Sequence, residues 1–179
     1  MKILEKTVVY LIKNQPNQQI GILRLAKYLF LADYLYAKTF GNGETFTGAY
    51  TRYQKGPVPA RFYDVLTELK TEGIVNRVGN TILITQKNIS MPALPEKEKA
   101  CLDKVLNDFA QRPLNKVIDA AYSTEPMKEL LEAENSLGEI LLWKNIEFSK
   151  TQKHALLQND DLDTKFLDSE EYKQSLKDE

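Results

Sequence analysis

The sequence predicts a mainly α-helical protein, a single multi-helix domain built around one buried central helix and carrying one small β-hairpin. Three observations support this prediction. Residues 23–37 are apolar on nearly every side of a helix, which is typical of a helix enclosed by other helices. Residues 58–69 place apolar side chains on one helical stripe. Two β-branched runs within residues 74–85 flank a two-residue Gly79-Asn80 turn.

The central helix is predicted to begin after Ile20-Gly21 and to run to about Phe40. The Gly41-Asn42-Gly43 sequence that follows is typical of a helix C-cap and turn. It also resembles part of a phosphate-binding loop, but no strand precedes it and no third glycine opens a helix after it. We therefore interpret it as the end of the helix.

One acidic residue, Asp33, lies on the apolar face of this helix. That face comprises Ile22, Leu25, Ala26, Leu29, Asp33 and Tyr36. A buried carboxylate without a partner is costly, so we expect Asp33 to be paired. Its expected partners are backbone N–H groups of the Gly56-Pro57 turn or one of three nearby cations. Those cations are Arg52, Lys55 and Arg61.

Residues 44–54 mix aromatic and basic side chains with threonines, and they are predicted to form a loop or a short strand. The next helix is predicted to begin at Pro57 to Pro59, because proline has the φ angle of a first helical turn and needs no N–H there. Its apolar stripe comprises Val58, Phe62, Val65, Leu66 and Leu69, and Gly73 ends it.

Apolar periodicity predicts further helices at residues 3–14, 96–110 and 114–122. Short helical pieces are predicted after them, one carrying Met127, Leu130 and Leu131 and one carrying Ile140, Leu141 and Trp143. Residues 1–148 are therefore predicted to form the domain. Residues 149–179 are polar and acidic, and they are predicted to form a partly disordered C-terminal tail.

Composition favours a non-enzymatic cytoplasmic protein. The chain is 42% hydrophobic and 27% charged, an ordinary soluble balance. Cys101, the single cysteine, lies on a helical stripe, which favours a buried thiol in a reducing compartment. The only histidine, His154, lies in the polar tail, so no metal site and no nucleophile–base dyad can be named. We expect no catalytic residue, no cofactor, no metal and no membrane span.

Charge is distributed unevenly along the chain. Residues 1–90 carry 12 Lys+Arg against 6 Asp+Glu, whereas residues 159–179 carry 3 against 8. A basic front and an acidic end predict one of two arrangements. Either the front meets an acidic partner, or the tail folds back over it when no partner is present.

Two blocks of residues carry a resemblance to a known family. The first runs from Leu25 to Asp33. The second contains Phe46-Thr47-Gly48, Tyr50, Tyr53, Lys55-Gly56-Pro57-Val58-Pro59 and Tyr63. Together they resemble the Panacea domain of SocA-like bacterial antitoxins, a family with a phage-encoded branch called GepA. The resemblance implies a mostly helical protein of a bacterial or prophage toxin–antitoxin system.

The same resemblance implies an antitoxin-like function. Members of the family neutralise a toxin by binding it, and the toxin here is expected to be a neighbouring gene product. Some members instead act as adaptors that deliver a partner to a protease. The resemblance also implies a structural motif formed by Asp33, Gly48, Gly56, Pro57 and Tyr63.

A basic, tyrosine-rich stretch is the predicted partner-binding surface. Its residues are Tyr50, Arg52, Tyr53, Lys55 and Arg61. Tyrosine and arginine are favoured anchors of protein interfaces. The alternative is that the tyrosine rings cap the core and place only their hydroxyls in water. The sequence leaves these two interpretations open.

A winged-helix-like DNA-binding regulator is the alternative function. A helix followed by a small hairpin is how a winged helix ends, and Arg77 would then be the cation of the wing. Against this, the polar face of the helix carries Asp64, Glu68 and Glu72 with Lys70 as its cation. Carboxylates repel DNA phosphates, so the protein-binding interpretation is favoured.

Overall fold

Six α-helices make up most of the described chain, which confirms the mainly α prediction. The computed structural model describes residues 1–41, 43–86, 88–138, 141 and 144–148. The predicted acidic tail, residues 149–179, lies outside them. The helices are α1 (Ile3–Lys13), α2 (Ile22–Thr39), α3 (Phe62–Thr71), α4 (Glu96–Phe109), α5 (Leu114–Tyr122) and α6 (Glu125–Leu137).

Six short strands complete the described architecture. They are β1 (Gln19–Gly21), β2 (Tyr50–Tyr53), β3 (Gly56–Pro59), β4 (Val75–Val78), β5 (Thr81–Ile84) and β6 (Asn145–Ile146). They form two antiparallel sheets with strand orders β1-β5-β4 and β3-β2-β6.

The first sheet contains the predicted hairpin. Strands β4 and β5 pair around the Gly79-Asn80 turn, where Gly79 has a φ of 58° that suits a tight hairpin. Strand β1 joins the outer side of β5 and was not predicted, since three residues are too few to show alternation. The Ile22 amide at the start of α2 donates to the Asn80 carbonyl at 2.8 Å and ties the central helix to this turn.

The second sheet corrects the predicted start of the helix after Gly56. Residues 56–59 form strand β3, paired with β2 so that Arg52 faces Pro57 and Tyr50 faces Pro59, and α3 begins only at Phe62. In an antiparallel pair only alternate residues exchange hydrogen bonds. Pro57 and Pro59 both fall at positions whose nitrogens point away from β2, so neither proline removes a ladder bond.

Helix α2 is the central element, as predicted. Helices α1, α4 and α5 and strand β3 all pack against it. Its side chains are buried over most of its length, and Leu25, Leu29 and Phe30 are fully enclosed. Two charged residues, Lys27 and Asp33, are enclosed with them. Among the described residues, no helix is long and apolar enough to cross a membrane.

In the C-terminal half, one helix is longer than the sequence predicts. Helices α4 and α5 lie where the sequence predicts them, and Cys101 is buried in α4 as expected. The short piece predicted around Met127, Leu130 and Leu131 is part of one 13-residue helix, α6. The piece predicted at Ile140 and Trp143 lies outside the described residues. Gly138 ends it in a left-handed conformation with a φ of 66°.

Candidate functional site

The Asp33 carboxylate is the centre of a buried polar cluster that fixes the loop after α2. One of its oxygens accepts hydrogen bonds from the backbone amides of Phe46, at 2.7 Å, and Thr47, at 3.2 Å. The other accepts from the Tyr50 hydroxyl at 2.7 Å and from the Thr47 hydroxyl. Asp33 therefore closes a loop of the main chain onto the central helix.

Burial controls the protonation of this cluster. Desolvation raises the pKa of Asp33 to about 6, and the hydrogen bonds from Thr47, Tyr50 and Phe46 oppose the shift without cancelling it. Burial, and then the nearby Asp33 charge, raise the pKa of Tyr50 well above its usual value. The Tyr50 hydroxyl therefore keeps its proton and remains a donor to Asp33.

These contacts correct the partners predicted for Asp33. We expected the Gly56-Pro57 turn or the cations of Arg52, Lys55 and Arg61. The contacts at Asp33 instead come from residues 46–50, because α2 ends at Thr39 and the chain folds back at once over its last two turns. The Gly56-Pro57 turn is held by a different residue of the same helix.

That residue is Lys27, which the sequence analysis missed. Its ammonium group is fully buried and donates to the Pro57 carbonyl at 3.0 Å. This carbonyl belongs to a residue that does not bond to β2, so its oxygen is free to accept from α2. A lysine in the middle of an almost entirely apolar helix was the signal that could have revealed this contact.

Gly56 lies against Lys27 at the tight turn between β2 and β3. Its φ is 95°, a conformation that favours glycine, and a Cβ added there would lie 3.1 Å from the Tyr122 ring and 3.4 Å from Cε of Lys27. The Tyr122 hydroxyl donates to the neighbouring Gln54 carbonyl at 3.2 Å. The turn is thus enclosed by α2 on one side and α5 on the other.

A buried ion pair joins the same hairpin to α6. Nε of Arg52 lies 2.9 Å from Oε1 of Glu134, and the two side chains are only 7% and 9% exposed. A second guanidinium nitrogen donates to Oε2 of Glu134 at 3.2 Å, and a third donates to the Tyr53 carbonyl. Nothing in the sequence around Glu134 distinguished it from the other acidic residues of α6.

Aromatic rings fill the space beside these polar anchors. The ring of Tyr50 packs edge-on against Phe30 of α2 and against Phe148, with centroids 5.3 and 5.6 Å apart. Tyr53 meets Tyr63 in a T-shaped contact at 6.4 Å. The tyrosine rings of β2 therefore belong to the core, as in the core-capping alternative, but the Tyr50 hydroxyl is buried against Asp33 and does not lie in water.

The structure corrects the predicted exposure of the partner-binding residues. Tyr50, Arg52 and Tyr53 are 0%, 6% and 2% exposed. Tyr50 packs on α2, Arg52 pairs with Glu134 of α6, and Tyr53 contacts Tyr63 of α3. Lys55 is half-buried at the hairpin turn, and the Arg61 side chain is 50% exposed. Within residues 44–61, which we call the anchored segment, Lys55 and Arg61 are thus the predicted partner-binding residues that are not buried.

The five residues of the predicted structural motif do not all have the same role in the structure. Asp33, Gly56 and Pro57 take part in the anchors just described. Gly48 has a φ of 112° within the loop that Asp33 closes, and its Thr47 neighbour supplies two of the bonds to Asp33. Tyr63 is half-buried on α3 and packs against Tyr53. The arrangement holds main-chain segments in place with side chains from three helices.

Comparison with known proteins gives one match. A family model described as "Antitoxin SocA-like, Panacea domain" matches residues 25–126, more than half of the chain. The match begins within α2, ends within α6 and includes the anchored segment. The searches of curated proteins and of solved structures each returned no match.

Proposed function

Because this chain belongs to the SocA-like antitoxin family and contains its Panacea domain, we propose that it neutralises a cognate toxin by binding it directly. The observation that carries the proposal is the family match, which includes Asp33, Lys27 and the anchored segment that they hold. The toxin is the product of a neighbouring gene. Neutralisation requires the burial of an interface and no catalysis by this chain.

The geometry of the anchored segment supports a binding role. Its backbone is held by Asp33, Lys27 and the Arg52–Glu134 ion pair before any partner arrives. A preorganised surface loses less conformational entropy on association than a mobile one. Arg61 lies at its end, 3.0 Å from Glu68 and 3.8 Å from Asp64, with its side chain half exposed. Arginine in this setting is a suitable interface anchor.

Co-expression tests the proposal. The neighbouring gene product is expressed alone and together with this chain, and both growth and capture in a pull-down are measured. The wild-type chain is expected to restore growth and to capture the neighbour. The double variant Lys55→Glu and Arg61→Glu is expected to weaken capture by about tenfold or more, because it reverses the charge of two cations of the anchored segment that are not buried.

A matched variant distinguishes this surface from general charge effects. Lys104→Glu and Lys116→Glu reverse two cations on α4 and α5 whose side chains are each 60% exposed. Capture should change by less than about twofold, as is usual for charges outside an interface. Equal losses for both double variants would remove the anchored segment from the proposal, and no capture by the wild type would remove the proposal itself.

Delivery of the toxin to a protease is a second form of the same function. An adaptor lowers the amount of the toxin, whereas a direct inhibitor leaves the amount unchanged and blocks activity. The half-life of the toxin, followed by immunoblot with and without this chain after synthesis is stopped, separates the two. An unchanged half-life combined with restored growth supports direct inhibition.

The order of elements supports one rival function, DNA binding by a winged-helix-like unit. Strand β1 lies beside β5, and α3 leads directly into the β4–β5 hairpin, as in a winged helix. The exposed carboxylates of Asp64 on α3 and of Glu72 just after it oppose a phosphate backbone. A gel shift over a range of salt concentrations decides between the functions, because binding through phosphates weakens steeply as salt rises.

A further inference from the structure

The second sheet has an edge that is covered by a part of the chain outside the family match. Strand β2 pairs with β3 on one side and with β6 on the other. Strand β6 lies within residues 144–148, which we call the β6 segment, whereas the family match ends at residue 126. The matched part of the chain thus contains a strand edge that can accept another strand, and a later part of the same chain occupies it.

The hydrogen-bond alternation shows which residues of β2 serve this edge. The Arg52 amide donates to the Lys144 carbonyl at 2.9 Å, and Tyr50 lies opposite Ile146. Alternate residues of an antiparallel pair exchange bonds, so the main-chain groups of Tyr50 and Arg52 point toward the β6 segment. On the other side both residues lie opposite prolines of β3. Their main-chain groups are therefore available to whichever strand lies at this edge.

The β6 segment also fills an apolar site beside the edge. Ile146 is 6% exposed. The ring of Phe148 packs among three others, with its centroid 5.4, 5.6 and 6.4 Å from those of Phe30, Tyr50 and Tyr34. Side chains two positions apart in an extended chain point to the same face. The edge therefore fits an extended segment with an aliphatic residue two positions before an aromatic one.

The β6 segment is held less firmly than the strand that it covers. Strand β6 pairs with β2 over two residues, whereas β3 pairs with it over four. Within the described part of the chain, Oε2 of Glu147 is buried without a hydrogen-bond partner. This oxygen would bond to water if the segment left, so its burial disfavours the bound position. Strand β2 itself is fixed by its bonds to Asp33 and Glu134.

We propose that this edge of β2 is a strand-addition site, which the β6 segment occupies in the unbound chain and an extended segment of the toxin occupies in the complex. The toxin segment carries an aliphatic and an aromatic residue two positions apart, which replace Ile146 and Phe148. Like contacts are exchanged for like at the edge, and the rest of the toxin surface supplies the surplus that favours the complex. The inference rests on the proposed function, because it assigns the site at which the toxin binds.

A reversible disulfide tests the exchange in the full chain. Thr51 and Asn145 lie opposite each other between two bonded pairs, where the Cα atoms of antiparallel strands come closest. In the double variant Thr51→Cys and Asn145→Cys, oxidation is expected to link the β6 segment to β2. The affinity for the purified neighbouring gene product, measured by calorimetry, should fall by about tenfold or more on oxidation and return on reduction. The wild type, whose Cys101 is buried, should change by less than about twofold under the same treatment.

A second double variant gives an independent measurement without a disulfide. Ile146→Ala with Phe148→Ala weakens the hold of the β6 segment on its own site, so the site is open in a larger fraction of molecules. The affinity for the neighbouring gene product should then rise by about fivefold or more, because less of the binding free energy is spent on displacing the segment. Asn145→Ala keeps both apolar side chains and should change the affinity by less than about twofold.

The outcomes separate this inference from the proposed function. An oxidised cysteine variant that binds as tightly as its reduced form overturns the exchange and leaves toxin binding intact. If the cysteine variant binds in neither form, the alanine pair decides, and an affinity that is unchanged or lower than that of the wild type overturns the exchange. Failure of the wild type to bind the neighbouring gene product overturns both the exchange and the proposed function.

Discussion

At the scale of single residues, the two buried charges of α2 have one common effect. Lys27 and Asp33 lie six positions apart on a helix whose surroundings are otherwise apolar, and each bonds to main-chain groups of the anchored segment. Leaving such donors or acceptors unpaired in the core would cost more than the bonds themselves contribute. The helix therefore specifies where the segment must lie.

The raised pKa of Asp33 predicts a pH dependence of stability. Its pKa is about 6 in the folded protein, against 3.8 for an aspartate in its ordinary state, so between these values the folded protein binds one more proton than the unfolded chain. Stability from this group therefore increases as the pH falls through about 6 and is lost as the pH rises. Between about pH 7 and about pH 5 the gain should be about 1 kcal/mol.

Urea unfolding of the wild type and of Asp33→Asn at both pH values checks this prediction. Asparagine does not titrate, so only the wild type gains stability from this position as the pH falls. The wild type should therefore be more stable relative to Asp33→Asn at about pH 5 than at about pH 7. A difference that stays constant across this range would show that the Asp33 carboxyl does not take up a proton there.

Alanine substitutions at Gly56 and Gly48 separate the stability cost of backbone strain from the cost of a steric contact. Gly56→Ala should lower the free energy of unfolding by about 2 kcal/mol or more, since alanine is strained at a positive φ and its Cβ would meet the Tyr122 ring. Gly48→Ala has the strain without a neighbour within 4 Å, so its loss should be smaller. Equal losses, measured by thermal or urea unfolding, would show that the contact with Tyr122 adds nothing to the loss of stability in Gly56→Ala.

At the scale of elements, the anchored segment illustrates how proline can occupy a strand. Pro57 and Pro59 occur at alternate positions, and both lack an N–H on the side of β3 that faces away from β2. The same positions also fit the first turn of a helix, which is why the sequence favoured a helix. Pairing with β2 and the bond to Lys27 decided in favour of the strand.

The buried ion pair between β2 and α6 predicts a large and non-additive effect on stability. Arg52→Met alone leaves Glu134 buried and uncompensated, and it should lower the free energy of unfolding by about 3 kcal/mol or more. Adding Glu134→Leu should recover much of that loss, because both charges are then absent. Urea unfolding of the two single variants and the double variant measures the coupling, and additive losses would contradict it.

At the scale of the whole molecule, the basic front of the chain remains after folding. Burial removes Lys27 and Arg52 from the surface, but it also removes Glu5 and Asp33. Among the described residues of this range, the excess of cations is therefore carried by side chains that are not buried. Such an excess speeds encounter with an acidic partner and is screened by salt.

Salt should therefore slow the association of this chain with its partner. Between about 50 mM and about 500 mM salt we expect the association rate constant to fall by about tenfold, with a smaller change in dissociation. Stopped-flow or surface-based kinetics with the neighbouring gene product measures both. An association rate that does not depend on salt would show that the charge of residues 1–90 does not guide the encounter.

Much of the helical framework followed from sequence because its signals are local. Helices α1, α2, α4 and α5 begin and end within about two residues of prediction, since apolar periodicity and proline or glycine at the ends define them. The β4–β5 hairpin was equally clear from its turn. Strands β1 and β6 are too short to leave a periodic pattern.

The sequence by itself determined that one apolar helix is central, that Asp33 within it is buried and needs partners, and that the chain resembles the Panacea family. Only the tertiary structure decided which partners those are, that Lys27 and Glu134 hold the other side of the same segment, and that Tyr50, Arg52 and Tyr53 face inward. The physical reason is that periodicity reports which face of an element is buried, whereas a polar contact depends on residues brought together from distant parts of the chain.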